Sequence, residues 1–331
     1  MSRVSRPFLS SAADTMRDFL HYHRALGQRF DTEERALKLF DQYLGAHEIP
    51  SLAAITPTLV NDFVCSRRRQ VAKSHNHLIG VLRRWFNWLV GQERLSVSPL
   101  QLTPRPQTAT CPPYLFDQLQ ARRLLAAAER LTNNNRGHQR GSIYSMIFAL
   151  LYGLGLRVGE VARLSMQDVD WERNVLSIRE TKFLKSRLIP IGPKLASRLK
   201  VYLEQRQRSV GPLAPADPLF SFGTDKTRSV NPSTISQVFH QIWPQLGLDV
   251  PPGVAPPRLH CLRHSFAVGT LLRWYRQGVE PADRLLLLST FMGHSHPSST
   301  AVYLTITAEL REEANLRFQR FALPLVKGVV S

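Results

Sequence analysis

The sequence predicts a mainly α-helical protein of two domains with one small β-hairpin. Apolar residues recur at helical spacing through residues 1–95, and a proline-rich stretch then interrupts that spacing. Residues 174–191 instead alternate apolar and polar side chains on either side of a charged turn, the pattern of a hairpin. A chain of 331 residues is also longer than one ordinary core requires.

Residues 1–100 are predicted to form a bundle of four helices. Gly27 ends the first helix, since glycine readily takes the left-handed conformation that follows a helix. Trp85 and Trp88 lie three residues apart in the fourth helix, and we interpret them as core residues. Residues that commonly precede or begin helices mark the four starts: Ser11, Asp31 with Glu34 as a capping box, Thr56 with Pro57, and Ser74.

Residues 101–113 are predicted to be a linker, because their prolines remove hydrogen-bond donors and fix backbone angles. The second domain then covers residues 114–331. Helices are expected near residues 115–131 and 142–153, followed by the hairpin at 174–191. Helices resume at Lys194 and continue to Leu323.

The charge of the chain indicates an anionic partner. Its 43 Lys and Arg residues exceed its 25 Asp and Glu residues, a formal net charge of +18, which favours nucleic acid or an anionic membrane surface. There is no apolar run long enough to span a membrane and no secretory signal. Three widely spaced cysteines fit a reducing compartment and no metal site. We expect a cytoplasmic, nucleoid-associated protein that needs no cofactor.

The excess of positive charge is concentrated after residue 50. Residues 1–50 hold seven basic and seven acidic side chains, whereas residues 51–100 hold seven basic and two acidic ones. A cluster of basic side chains there could neutralise several phosphates, although a solvated helix face would show the same pattern. The candidate DNA-binding residues are Arg67, Arg68, Arg69, Lys73, Arg83 and Arg84.

Four short segments of the second domain stand out together. Each of their residues has an ordinary structural explanation when taken alone, such as a solvated arginine or a half-buried tyrosine. Their order and spacing are what make them informative. The segments carry, in turn, Arg157 and Glu160; Lys182; His260 and Arg263; and His294, which is followed nine residues later by Tyr303.

In that order and spacing, the segments resemble the tyrosine recombinase (phage integrase) family. LYGLGLRVGEVARLSMQDVDWERNVLSI is similar to the first box of that family, and TKFLKSRLIPIGP to its β-hairpin. HCLRHSFA is similar to its His-x-x-Arg-His box, and FMGHSHPSSTAVYLTI to its Gly-His…Tyr box. The resemblance covers about two-thirds of the chain. It implies a mixed α/β catalytic domain and, at the level of fold only, an N-terminal core-binding (SAM-like) bundle.

The resemblance implies a role for each residue in cleaving and rejoining DNA without a metal ion. Tyr303 attacks the scissile phosphate and forms a covalent 3′-phosphotyrosyl link. Arg157 and Arg263 hold the non-bridging oxygens, with His294 as a third donor. Because the free pKa of tyrosine is near 10, a base must accept its proton, and His260 is the candidate of the family.

The proton donor to the departing 5′-oxygen is expected to be Lys182, with Lys185 as the alternative on the same hairpin. Glu160 is expected to hold its helix in register rather than to touch DNA. Cys261 is interpreted as a packing residue. His264 is expected to point away from the reactive face of its helix and to be structural.

The implied activity is site-specific recombination or integration on double-stranded DNA through a Holliday junction. A homo-tetramer, or an assembly with sister recombinases, is the expected form, and a mobile element is the preferred setting. Three alternatives remain open: a type IB topoisomerase-like relaxase, a catalytically inactive DNA-binding regulator, and a membrane-surface protein.

Overall fold

A computed structural model describes residues 7–106, 111–134, 137–179, 186–222, 227–294, 296–305 and 312. The chain divides into two compact units, residues 1–110 and 111–331. Separate hydrophobic clusters fill each unit. The hairpin residues Lys182 and Lys185 lie outside the described residues.

The described part of the N-terminal unit contains four α-helices around one apolar core, as the helical spacing predicts. Its aromatic centre includes Phe40, Trp85 and Phe86, all fully buried. Thr56 precedes the third helix, and its Oγ1 accepts the backbone N–H of Leu59 over 3.2 Å, as expected before a proline at the first helical position. The helices are α1 (Ala13–Ala25), α2 (Asp31–Ala46), α3 (Pro57–Ser66) and α4 (Ala72–Gly91).

The start of α2 differs from the predicted capping box. Phe30, rather than Asp31, is the N-cap residue, and it adopts a left-handed conformation with φ at 54°. Asp31 is therefore already helical and its side chain caps nothing. Glu34 instead pairs with Arg24 and Lys38, whose side chains reach its half-buried carboxylate.

The C-terminal unit contains eight α-helices in its described part, with α6 at the centre. Apolar residues occur all around α6, and most of its side chains are buried, as expected for a helix enclosed by others. No helix in the described ranges has the length and apolar character needed to cross a bilayer. The helices are α5 (Gln118–Glu129), α6 (Arg140–Leu154), α7 (Val158–Arg163), α8 (Pro193–Val210), α9 (Pro232–Ile242), α10 (Cys261–Arg276), α11 (Pro281–Met292) and α12 (Ser298–Ala301).

One small antiparallel sheet lies in the same unit, in the order β1-β2-β3. Strands β2 (Val175–Ile178) and β3 (Arg187–Pro190) are the two arms of the predicted hairpin. Strand β1 (Val169–Asp170) adds a two-residue edge that the sequence pattern did not predict. The observed fold is thus mainly helical with a small sheet, which confirms the predicted class.

Candidate active site

Arg157 is held at the start of α7 by the acidic residue three positions later. Its backbone N–H donates to Glu160 Oε2 over 3.0 Å, and its Nη1 donates to Oε1 over 2.8 Å. The Arg-x-x-Glu spacing therefore folds as a helix cap. Burial opposes ionisation of Glu160, but Arg187 and Arg157 outweigh it and lower the pKa of this carboxyl to about 2. Glu160 is an ionised anchor for the arginine.

Arg263 is almost completely enclosed, with 2% of its surface exposed. Its Nη1 donates to the carbonyl oxygen of Gly155 over 2.6 Å. Gly155 ends α6 at a φ of 59°, and a side chain there would collide with the ring of Phe266, so glycine suits this turn. Burial, and then the charge of Arg157, lower the pKa of Arg263 to about 10, so the guanidinium stays charged at neutral pH.

Three successive carbonyl groups at the carboxyl end of α11 each accept a hydrogen bond from a different arginine. The last carbonyls of a helix have no partner within it, and the helix dipole is negative there, so cations are favoured. The pairs are Arg187 Nε with Phe291 O at 2.8 Å, Arg263 Nη2 with Met292 O at 2.7 Å, and Arg157 Nη2 with Gly293 O at 2.6 Å. One helix end thus gathers arginines from three distant segments.

Arg187 is a member of this group that the sequence interpretation missed. It lies on β3, and its Nη1 and Nη2 donate to the two carboxylate oxygens of Glu160 over 3.0 and 2.8 Å. A signal was available, since β-strand alternation places Arg187 on the same face as Ile189, which is fully buried. Gly293 faces Arg187, and a Cβ there would lie 2.6 Å from Nη1.

His294 follows Gly293 and is oriented by a buried threonine. Its Nδ1 lies 2.6 Å from Oγ1 of Thr300, which is fully buried, and its ring stacks on that of Tyr303 at a centroid distance of 6.4 Å. Burial, with the nearby charge of Arg263, lowers the pKa of His294 to about 4. The ring is therefore neutral at pH 7. Thr300 is a further residue that the sequence interpretation did not single out.

Tyr303 lies in a 3-10 helix, Val302–Thr305, and is 4% exposed. Its hydroxyl is 2.8 Å from Nδ1 of His264. The expectation that His264 is turned away from the reactive groups is therefore wrong, because the chain beyond α11 returns to α10 on the side where His264 lies. Burial raises the pKa of Tyr303, whereas Arg263 and Arg157 act to lower it.

His260 precedes α10 and lies one helical turn before His264, with the two ring centroids 4.7 Å apart. Burial, together with the charge of His260, lowers the pKa of His264 to about 4, so a neutral ring faces the tyrosine hydroxyl. In the described part of the chain, His260 itself makes no hydrogen bond to Tyr303. It lines a cavity of about 260 Å³ beside Arg263, together with His240 and Arg258.

The candidate DNA-binding residues of the N-terminal unit fall into two groups. Arg69, Arg83 and Arg84 are engaged within the unit, by Ser74, by the carbonyl of Leu102 and by Glu33 respectively. The other three are exposed and have no ion pair or hydrogen bond to any residue the structure describes: Arg67, Arg68 and Lys73.

The chain is similar to known recombinases along most of its length. Residues 115–309 match the model of the phage integrase family. The chain is 33% identical over 315 residues to the integrase/recombinase y4rB of Sinorhizobium fredii, covering 94% of this chain and 98% of that one. It is 28% identical over 258 residues to the tyrosine recombinase XerA of Thermococcus onnurineus, covering 78% of each chain.

Solved structures share the fold at lower identity. The Tn1549 transposon integrase in complex with a circular intermediate DNA is 15% identical, with a TM-score of 0.65, covering 95% of this chain and all of that one. The XerH recombinase bound to its difH substrate after cleavage is 17% identical, with a TM-score of 0.61, covering 86% and 78% of the two chains. With the family model matched over more than half of the sequence, the chain belongs to the phage integrase family, the tyrosine recombinases, which cleave and rejoin DNA.

Proposed function

We propose that the chain is a site-specific recombinase or integrase of a mobile element that uses Tyr303 as its nucleophile. The observation that carries the proposal is the gathering of Tyr303, Arg157, Arg263 and His294 around the carboxyl end of α11. Three of these groups are cations or potential hydrogen-bond donors beside one hydroxyl, as attack on a phosphodiester requires.

In the proposed reaction, the oxygen of Tyr303 attacks the scissile phosphorus and the bond from phosphorus to the 5′-oxygen breaks. The two arginines stabilise the charge that develops on the non-bridging oxygens, with a hydrogen bond from His294. The leaving 5′-oxygen takes a proton from a hairpin lysine, Lys182 or Lys185. Rejoining reverses these steps, since a 5′-hydroxyl attacks the 3′-phosphotyrosyl link and the tyrosine recovers its proton.

Two histidines are candidates to accept the proton of Tyr303. His260 is the candidate that the family resemblance implies, and it lines the cavity beside Arg263. His264 is the one whose Nδ1 is within hydrogen-bond distance of the hydroxyl, and its low pKa keeps it neutral and able to accept. We retain His260 as the base that accepts the Tyr303 proton in the DNA complex. In the free protein, His264 is the hydrogen-bond partner of the Tyr303 hydroxyl.

The proposed partner is double-stranded DNA, bound by the N-terminal helical unit as well as by the catalytic unit. The exposed Arg67, Arg68 and Lys73 offer three cations to the phosphate backbone. Assembly into a tetramer on a Holliday junction is proposed by analogy with lambda integrase, which has been solved in that form. The mobile-element role is proposed by analogy with the Tn1549 integrase.

The proposal is tested by covalent capture. The protein is incubated with a pool of random-sequence duplexes, the mixture is dissolved in SDS, and DNA that stays attached to protein is sequenced at the junction. We expect adducts at one recurring sequence from the wild type and none from Tyr303→Phe. Adducts that persist in Tyr303→Phe would show that another residue is the nucleophile.

Incubation with supercoiled plasmid, together with the capture experiment, identifies the alternatives. Relaxation of supercoiled plasmid without any preferred junction sequence would indicate a topoisomerase-like enzyme. Sequence-specific binding without any covalent adduct would indicate an inactive regulator.

A further inference from the structure

We propose that Arg187 is a positioning residue of the active site, which holds Glu160 and thereby fixes the guanidinium of Arg157 for phosphate binding. The inference rests on the proposed function of Arg157. Arg187 is itself mostly buried, with 10% of its side chain exposed, and its Nε, Nη1 and Nη2 all donate to Phe291 O or to the Glu160 carboxylate. It therefore acts through its neighbours and does not touch the substrate.

The geometry around Glu160 supports this role. Each carboxylate oxygen accepts one hydrogen bond from Arg157 and one from Arg187, so both oxygens are shared equally between the two arginines. A carboxylate held at both oxygens by the planar fork of an arginine cannot rotate freely. Because Glu160 is fixed in this way, the Arg157 side chain that it binds is fixed as well.

Charge gives a second reason. Glu160 alone would neutralise Arg157, and the pair would then attract a phosphate only weakly. Arg187 supplies a second positive charge to the same carboxylate, so the group of three carries a net charge of +1. The side chain of Arg157 is 31% exposed and can direct that charge towards the substrate, whereas Arg187 cannot.

Arg187 also contacts the carboxyl end of α11, close to the carbonyl that binds Arg157. Arg187 donates to the carbonyl of Phe291, two residues before the carbonyl of Gly293 that accepts from Arg157. The backbone of Gly293 lies directly against the Arg187 guanidinium. Arg187 thus joins β3 to the helix end from which His294 continues.

The first test measures cleavage of a duplex recovered by the capture experiment. In Arg187→Met we expect the rate constant at saturating duplex to fall about 100-fold, the loss typical of a misplaced catalytic group, with little change in duplex affinity. Arg187→Lys keeps the positive charge but not the planar pair of donors of the guanidinium, and it should recover part of the rate. Arg198→Met removes an ion pair with Glu129 elsewhere in the same unit and should cleave normally. An unchanged rate in Arg187→Met would overturn the inference.

A double-variant cycle separates action through Glu160 from any independent effect. If Arg187 acts through Glu160, the variant that combines Arg187→Met with Glu160→Gln should be about as slow as the slower single variant. If the two losses multiply, Arg187 acts independently and the proposed role is wrong.

A third measurement needs no DNA and so remains decisive if the proposed function fails. In protein labelled with ¹⁵N-arginine, the Arg157 signals are assigned by their loss in Arg157→Lys. We expect their guanidinium protons to exchange with water at least about tenfold faster in Arg187→Met, because a hydrogen-bonded proton exchanges only when its bond opens. The buried Arg206, which donates to Pro218 and Leu219, serves as the internal reference. Unchanged Arg157 signals would contradict the positioning role, whether or not the protein cleaves DNA.

Discussion

Several arginines of the N-terminal unit lie at its surface, whereas those of the candidate active site donate to backbone carbonyls. Arg67 and Arg68 are exposed and unpaired within the described part of the chain, and even the ion-paired Arg84 keeps 48% of its side chain in solvent. Arg263, in contrast, is 2% exposed and donates to two carbonyl groups from different segments.

Under the proposed function, the surface arginines serve binding of DNA and the buried arginines serve catalysis. A surface arginine can meet a phosphate in many orientations, so its contribution is largely electrostatic and weakens with salt. A buried arginine is already oriented before the substrate arrives, so its hydrogen bonds need no reorganisation during the reaction. We therefore expect changes in the two regions to affect different measurements.

The largest effect should come from Arg263→Lys. The ammonium group of lysine keeps the positive charge. It lacks the planar geometry by which a guanidinium can donate to the carbonyls of Gly155 and Met292 and to a phosphate at the same time. We expect the single-turnover cleavage rate to fall by about 10³-fold, as when a donor to the transition state is lost. Arg198→Lys provides the matched control on the surface of the same unit. Equal rates for the two variants would remove the distinction between buried and surface arginines.

The next effect concerns stability and its dependence on pH. The pKa of Glu160 is lowered to about 2 in the folded protein from its ordinary value of 4.5, so its ionisation stabilises the fold above pH 4.5. By linkage, the ionised Glu160 adds on the order of 3 kcal/mol to the free energy of unfolding. This stabilisation is lost as the pH falls from 4.5 towards 2.

Urea unfolding of the wild type and Glu160→Gln measures this contribution. The gap between their free energies of unfolding should be largest near pH 7 and should shrink below pH 4.5. A gap that is independent of pH would mean that the Glu160 charge is not what stabilises this site.

A smaller effect is expected from His264→Leu. Without the His264 ring, the hydroxyl of Tyr303 loses its hydrogen-bond partner in the free protein. We expect cleavage to slow by about 10-fold, less than the roughly 10²- to 10⁴-fold typical of a lost general base, because His260 is retained as the base in the DNA complex. If His260→Leu slows cleavage far more than His264→Leu does, His260 is the base during the reaction.

The smallest effect per residue should come from the surface of the N-terminal unit. Replacing Arg67, Arg68 and Lys73 together by serine should lower duplex affinity and reduce the slope of log affinity against log salt by about 3, close to one unit per phosphate contact. The cleavage rate at saturating duplex should stay the same. Arg17→Ser, which breaks an exposed ion pair with Asp14, is the control. An unchanged slope would remove these three residues from the DNA interface.

Most of the fold could be predicted because it depends on local patterns. The helical spacing and the alternation at residues 174–191 are properties of short segments, and the structure follows both. The predicted cap at Asp31 is wrong because the left-handed conformation of Phe30 changes how the chain enters α2. The edge strand β1 has only two residues, too few to produce a pattern.

The site was predictable only where residue order carries information. The family boxes predict Arg157, Arg263 and Tyr303 as site residues, but they say nothing of what holds these side chains in place. Arg187 was missed because an arginine beside a charged turn normally faces solvent. The position of His264 depends on where the chain returns after α11, and the geometry of α10 alone cannot supply that information.

The three carbonyls at the end of α11 also bear on how the site tolerates movement. Arg157, Arg187 and Arg263 come from separate segments, yet each is bonded to one of three consecutive peptide groups. If α11 shifts by a fraction of an ångström, the three guanidiniums can follow together and keep their mutual spacing. In the proposed function, phosphate recognition depends on the spacing of the Arg157 and Arg263 guanidiniums more than on their absolute positions. A site built in this way can keep the relative positions of its charged groups when one helix moves slightly.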